Sequence, residues 1–221
     1  MMPHDGAAPG PHASAPYFAR FVEGRRGEIL DAALRVFASK GYECGTMREI
    51  ASELGVTEPA LYRHYAGKEA LFADLIAVAG DHVVERASVM IAAIDPAHLR
   101  ETLLALIMAR PGHGSADDGV KPVMRMLFTA APHNAAFRAV VREHLAGPML
   151  GNLRSFVPRV DAYYGIERTA ADTTKSLRLF MSLLVGYVMT GMMWGSPDDD
   201  ESIVDAMMAI MGWEAPAPTG A

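Results

Sequence analysis

The chain has 221 residues, of which 51% are hydrophobic and 21% are charged, so it can form a substantial core and is not a disordered chain. Its single cysteine excludes an intramolecular disulfide framework, and its net charge of -6 argues against a protein that coats nucleic acid without sequence preference. The sequence opens without a basic segment followed by an apolar one, so we expect a cytoplasmic protein.

The charge is unevenly distributed along the chain. Residues 18–72 contain eight Lys and Arg and eight Asp and Glu, which cancel. The six excess acidic charges therefore lie elsewhere. The first third is consequently the only segment suited to an anionic partner such as DNA, provided that its cations share one side.

The spacing of apolar residues predicts helices along most of the chain. Alternating segments bounded by hairpin turns are absent from the sequence, so we expect an all-α fold. The predicted helices are 24–40, 47–53, 58–65, 68–94, 97–110, 121–130, 134–156, 168–194 and 198–212. Gly41 is expected to close the first helix and Gly147-Pro148 to kink the seventh, whereas residues 111–119 are predicted to form a long loop. Residues 1–16 and 214–221 are expected to be disordered tails.

Two short helices around residue 55 have the features of a helix-turn-helix. Thr46 and Glu49 are spaced as a capping box, which predicts a helix start. Gly55 provides a tight turn, and Thr57 is predicted to cap the next helix, with Pro59 in its first turn. This geometry fits a recognition helix to the major groove of DNA.

The sequence of this segment resembles a known family. Residues 46–71, TMREIASELGVTEPALYRHYAGKEAL, preceded by Phe37 and by Gly41-Tyr42, closely resemble the N-terminal domain of the TetR family of regulators. The resemblance implies a three-helix DNA-binding domain over residues 17–72. It also implies a larger helical domain over residues 73–213, which binds a ligand and forms a homodimer.

By this resemblance, the residues that face base edges are Arg48, Thr57, Glu58, Pro59, Ala60 and Arg63. Those that hold phosphates are Thr46, Tyr62, His64 and Lys68. The chemistry agrees, because arginine can bond two acceptors of guanine while hydroxyl, imidazole and ammonium groups suit phosphate oxygens. Two alternatives remain: Glu58 can serve the helix dipole, and Lys68 can be an ordinary helix-start residue. Tyr65 is expected in the core, and Cys44 is expected to be an inert thiol.

Residues 179–195 form a run of seventeen uncharged residues. A membrane span is one interpretation, but this length is at the short limit for crossing the hydrocarbon, and a buried helix at the centre of a soluble helical assembly is favoured. The last predicted helix carries an apolar stripe that includes Ile203, Met207 and Ile210. The family resemblance implies that these two helices pair with those of a second subunit, and hence that the DNA operator is palindromic. Met193 and Met207 are expected to lie in this interface.

The chain contains fifteen methionines, which can line an adaptable apolar pocket or simply fill a core. The predicted pocket residues are Met124, Phe128, Tyr187 and Trp194. We find no phosphate-binding glycine loop, zinc-protease pattern or nucleophile elbow, so we expect no catalytic residue, no metal site and no cofactor. The sequence thus predicts a repressor released from double-stranded DNA by an apolar small molecule, and the alternative is a DNA binder that is ligand-insensitive or activating.

Overall fold

The computed structural model describes residues 16–108, 122–123, 126, 134–194 and 200–213, without the side chains of residues 192–194. Its helices are α1 (Gly24–Cys44), α2 (Met47–Glu53), α3 (Glu58–Tyr62), α4 (Lys68–Ala92), α5 (Leu99–Met108), α6 (Ala135–Val141), α7 (Gly147–Tyr164), α8 (Ala170–Trp194) and α9 (Asp200–Met211). Short 3-10 helices precede α1 and α5, and a π turn, Arg142–Ala146, joins α6 to α7. Every regular element of the described residues is helical, which confirms the predicted fold class.

Helices α1 to α4 pack around an N-terminal core. Apolar residues of α1 such as Leu30 and Phe37 are buried at helical spacing and meet Ile50, Leu61 and Phe72 from the next three helices. The core extends beyond these four helices, because the ring of Phe137 in α6 lies 4.6 Å from that of Phe72. The first four helices and α6 are therefore joined by aromatic packing.

A second core is formed by α5, α7, α8 and α9. In α9, Val204, Met207 and Met211 are at most 1% exposed within the single chain. The expectation that Met207 lies in an interface between subunits is therefore wrong, since its side chain fills the core of its own chain. The side chain of Met193 lies outside the described residues.

Helix α4 connects the two cores, because its buried residues lie in the N-terminal core and Ile91 near its end packs against the second. Its 25 residues correspond to a length of about 37 Å. Leu71, Phe72 and Leu75 are buried in the N-terminal core, while the second half of the helix packs against the π turn and α7. A displacement of α4 would thus change its packing in the N-terminal core and its packing against the π turn and α7.

Several helix boundaries differ from the predicted ones. Gly41 interrupts α1 with a φ of +80°, as expected, but a further turn continues to Cys44. The predicted kink at Gly147-Pro148 is a π turn, because Pro148 has no amide for the carbonyl of His144 and its ring would clash with that carbonyl in a regular helix. Helix α7 then continues through Pro158 to Gly165, whose left-handed conformation ends it.

Some predictions fall on residues that the structure does not describe. These are the 111–119 loop, most of the 121–130 helix and the two tails. Among the described helices, α8 included, none is long and apolar enough to cross a membrane. The interpretation of residues 179–195 as a helix of a packed bundle agrees with this finding over the part that is described.

Candidate nucleic-acid interface

The capping box predicted at the start of α2 is present. The Glu49 amide donates to the Thr46 hydroxyl at 3.2 Å, and the Thr46 amide donates to the Glu49 carboxylate at 3.0 Å. The Thr46 hydroxyl itself donates to the same carboxylate at 2.9 Å, so it must exchange this hydrogen bond before it can donate to a phosphate. Hydrogen bonds from Lys40 and Thr46 lower the pKa of Glu49 below its ordinary value.

A glycine turn fixes α3 against α2. Gly55 has a φ of +67°, and the Val56 amide donates to the Ala51 carbonyl at 2.9 Å, which closes α2. Ile50 of α2 and Leu61 of α3 are buried together in the N-terminal core. The opposite side of α3 consequently faces solvent.

The ten residues predicted to contact DNA fall into two groups of exposure. The exposed ones are Thr46, Arg48, Thr57, Pro59, Tyr62, Arg63 and His64. Glu58, Ala60 and Lys68 are half-buried. None of the ten side chains is fully buried, so the helix-turn-helix presents all of them at or near its surface. Contact with DNA itself stays a prediction for each.

Two cations of this region have no partner among the described residues. Arg48 and Arg63 are exposed and form no ion pair or hydrogen bond through their guanidinium groups with any residue that the structure describes. By contrast, Arg35 pairs with Glu53 at 2.7 Å and Lys40 pairs with Glu49, so these acids are neutralised by neighbouring cations. The uncompensated positive charge thus lies on α2 and at the end of α3.

Thr57 occupies the N-cap position of α3, but its side chain makes no capping hydrogen bond, so the predicted side-chain cap is wrong. Two amides could donate to an N-cap hydroxyl, those of the N2 and N3 residues. Pro59 at N2 has no amide, and the amide of Ala60 at N3 donates to the Thr57 carbonyl at 2.9 Å instead. The exposed Thr57 hydroxyl therefore remains available to a ligand.

Lys68 has a structural partner that the sequence did not predict. Its ammonium donates to the carbonyls of Tyr42 and Glu43, both at 3.0 Å, and lies 4.5 Å from the centre of the Tyr42 ring. The lysine thereby satisfies carbonyls at the end of α1. Because an ammonium has three donors, one remains for a phosphate, and that contact stays a prediction.

Tyr65, Asp74 and Arg26 form a hydrogen-bonded group behind α3 that the sequence did not predict. Tyr65 donates to Asp74, and Asp74 also accepts from Arg26. Tyr65 was predicted as a core aromatic, and its ring does pack against the N-terminal core. Asp74 lies 9 residues from Tyr65 and 48 residues from Arg26 along the chain. In the sequence, only the polar hydroxyl of Tyr65 could have indicated this link.

The predicted pocket residues are largely outside the described part of the chain. This applies to Met124 and Phe128 and to the side chain of Trp194. Tyr187 is 7% exposed in the second core, and its hydroxyl donates to Asp200. The described residues therefore do not bring the four together, and their role in a pocket stays a prediction.

The helix-turn-helix is similar to that of known regulators. Residues 29–75 match the family described as bacterial regulatory proteins, tetR family. The transcriptional activator FasR from Mycolicibacterium smegmatis is 44% identical over 59 residues, which are 27% of this chain and 26% of FasR. The repressor KstR from Mycobacterium tuberculosis is 26% identical over 185 residues, which cover 73% of this chain and 81% of KstR.

The fold also has a solved counterpart in FadR from Bacillus subtilis, a transcriptional regulator crystallised in complex with stearoyl-CoA. The TM-score is 0.65 at 20% identity, over 83% of this chain and 96% of FadR. The chain spans only about a quarter of the length of FasR, and the 44% identity to FasR is therefore confined to the segment around the helix-turn-helix. Residues 29–75 of this chain thus match the DNA-binding segment of the tetR family of bacterial regulatory proteins, and the chain as a whole shares the all-helical fold of FadR.

Proposed function

We propose that this regulator is a homodimeric repressor that binds a palindromic operator and is released by an apolar small molecule. The observation that carries the DNA-binding part is the pair of exposed guanidinium groups of Arg48 and Arg63, which have no partner among the described residues. A guanidinium without an intramolecular partner can make a bidentate contact with guanine without first breaking an ion pair. These arginines read bases, while Tyr62, His64 and the remaining donor of Lys68 hold phosphates.

The exposed face of α8 is the proposed dimer interface. Leu179 and Val185 are 51% and 38% exposed and share this face with Ser182, Gly186 and Thr190. The hydroxyls of Ser182 and Thr190 donate to carbonyls of their own helix, so this face can be buried without losing their hydrogen bonds. Two such faces related by a twofold axis would place two recognition helices on a palindromic site.

The proposed effector enters the helices of the 73–213 domain and displaces α4 relative to the 17–72 domain. Support for such coupling comes from Gly80 of α4, because a Cβ at this position would lie 2.9 Å from the carbonyl oxygen of His144 in the π turn. A hydrogen bond of 2.9 Å between His144 and Asp81 lies beside this contact. FadR, with its bound stearoyl-CoA, has the same fold, which favours an effector with a long apolar chain.

Activation is the second candidate function, because FasR is named an activator and is 44% identical to this chain in the DNA-binding segment.

A reporter experiment distinguishes repression from activation. Genomic fragments that bind the full-length protein are selected and placed upstream of a reporter gene. Repression predicts higher reporter output when the regulator is absent, whereas activation predicts lower output. Recovery of no enriched fragment, or of fragments bound equally well by the Arg48→Ala/Arg63→Ala variant, would contradict sequence-specific binding by this surface.

A further inference from the structure

The recognition helix α3 makes few buried contacts of its own. It has five residues and buries only Leu61, so beyond the glycine turn that joins it to α2 its orientation depends on contacts made after its end. Beyond its end, the chain turns at Tyr65, whose amide donates to the Leu61 carbonyl at 3.0 Å. The side chain of Tyr65 is therefore tied by the backbone to the last turn of α3.

The hydroxyl of Tyr65 is the second tie. It donates to Oδ2 of Asp74, which lies on α4, at 2.6 Å. Arg26 of α1 holds the same carboxylate from the other side, with Nε at 3.0 Å from Oδ2 and Nη2 at 2.5 Å from Oδ1. Asp74 thus connects α1, α4 and the segment that ends α3. A bidentate pair has a preferred geometry, so it fixes the direction in which the tyrosine is held.

The ionisation state of Asp74 favours its hydrogen bonds with Tyr65 and Arg26. Burial alone would raise the pKa of Asp74, but the hydrogen bonds from Arg26 and Tyr65 outweigh it and hold that pKa below the ordinary value. The carboxylate is therefore ionised near neutral pH, and both of its partners donate to it. The side chain of Asp74 is 22% exposed, so solvent screens these contacts only in part.

We propose that Tyr65 and Asp74 form a positioning link that sets the orientation of α3 against α4, so that operator recognition depends on a hydroxyl that touches no base. This inference rests on the proposed function. Because α4 is also the helix that packs on the π turn, the link gives a movement of α4 a direct route to the recognition helix.

The first test is Tyr65→Phe in the full-length protein, with fluorescence anisotropy on a selected operator duplex and on a scrambled duplex of equal length. The variant keeps the ring and the net charge, so phosphate attraction is unchanged. We expect operator affinity to fall roughly three- to tenfold, which is the net effect of losing about one ordinary hydrogen bond, while affinity for the scrambled duplex is retained. The slope of log affinity against log salt should also be retained.

A matched pair of arginine variants provides the second test. Arg25→Gln and Arg26→Gln each remove one positive charge at the start of α1. Among the described residues Arg25 pairs only with Glu28 of its own helix, whereas Arg26 holds Asp74. We expect Arg26→Gln to lose more discrimination between the two duplexes than Arg25→Gln. This comparison remains informative if Tyr65→Phe does not fold, because both arginines are exposed.

The outcomes separate the link from the proposed function. If the wild-type protein binds both duplexes alike, the proposed function itself fails. If the wild type discriminates and the Tyr65→Phe and Arg26→Gln variants discriminate equally well, the positioning link is wrong. An equal loss on both duplexes, accompanied by a lower melting temperature, would show that Tyr65 only stabilises the fold and would also overturn the link.

Discussion

Arg168 forms a two-pronged ion pair with Asp161, in which Nε and Nη2 each lie 2.9 Å from a carboxylate oxygen. The side chains are 12% and 8% exposed. The indole of Trp213 donates to the same carboxylate at 2.8 Å, and Arg168 also donates to the carbonyl of Met211. The pair thereby attaches the end of α9 to α7 and closes the second core.

We predict that Arg168→Ala lowers the free energy of unfolding by about 3 kcal/mol, because it leaves the carboxylate of Asp161 buried without its cation. Urea denaturation followed by circular dichroism measures the change. Arg100→Ala is the control, since Arg100 pairs with Glu201 and Asp205 at the surface and its loss should cost much less. Equal effects of the two substitutions would contradict a structural role for the buried pair.

Base reading by α3 can be separated from its attraction to phosphates. We predict that Arg63→Ala loses about 1 to 3 kcal/mol of binding free energy on the operator and much less on a scrambled duplex, because one bidentate base contact is removed. Lys68→Ala should weaken both duplexes similarly and lower the salt slope by about one. The measurement is anisotropy at several salt concentrations. Wild-type affinity of the Arg63 variant for both duplexes would exclude this arginine as a base reader.

Local signals predicted the helix-turn-helix well. The capping box from Thr46 to Glu49 and the turn at Gly55 depend on neighbours within a few residues, so sequence alone determines them. The predicted cap by Thr57 is wrong although it is local, because Pro59 has no amide and the amide of Ala60 donates to the Thr57 carbonyl and not to its hydroxyl.

Contacts between distant residues could not be predicted in the same way. Arg26 and Asp74 are 48 residues apart, and Lys68 lies 26 residues from the carbonyl of Tyr42 that it satisfies. Their pairing depends on how α1 packs against α4. Met207 illustrates the same limit, since an apolar stripe does not indicate whether it faces its own core or a partner.

The contact between α4 and the π turn can be tested with two glycine variants. Gly80→Ala places a methyl group 2.9 Å from the oxygen of His144, and we expect it to destabilise the fold by about 1 to 3 kcal/mol. Gly151→Ala in α7 meets nothing within 4 Å and should stabilise the protein by about 0.5 to 1 kcal/mol. Thermal unfolding reports both changes. A stabilised Gly80→Ala variant would show that α4 does not need this close approach.

Two tyrosines are expected to make the fold sensitive to alkaline pH. Burial, with the nearby carboxylates of Glu69 and Glu43, raises the pKa of Tyr42 to about 12, and burial with the hydrogen bond to Asp74 raises the pKa of Tyr65 above its ordinary value of 10. For a raised pKa, the stabilisation is complete below pH 10 and is lost as the pH rises through the pKa of the folded state. The free energy of unfolding should therefore decrease above pH 10.

The slope of this decrease identifies the groups. Tyr65→Phe and Tyr42→Phe should each make the decrease shallower, because each removes one tyrosine that ionises later in the folded state than in the unfolded state. Urea denaturation at a series of pH values between 8 and 12 measures the slope. An unchanged slope in both variants would contradict the raised pKa values.

The exposed face of α8 can be tested as the dimer interface by introducing a charge. Leu179→Asp places a charge on a side chain that is 51% exposed in the single chain, so the monomer should fold normally, while a dimer formed through this face should lose several kcal/mol of association free energy. Val89→Asp is the control, because Val89 is an apolar residue of α4 that is 67% exposed. Sedimentation velocity at micromolar concentration should give a dimer for the wild type and the control and a monomer for Leu179→Asp. If the wild type sediments as a monomer, the homodimer is excluded at that concentration; if Leu179→Asp remains a dimer, the interface lies on another surface.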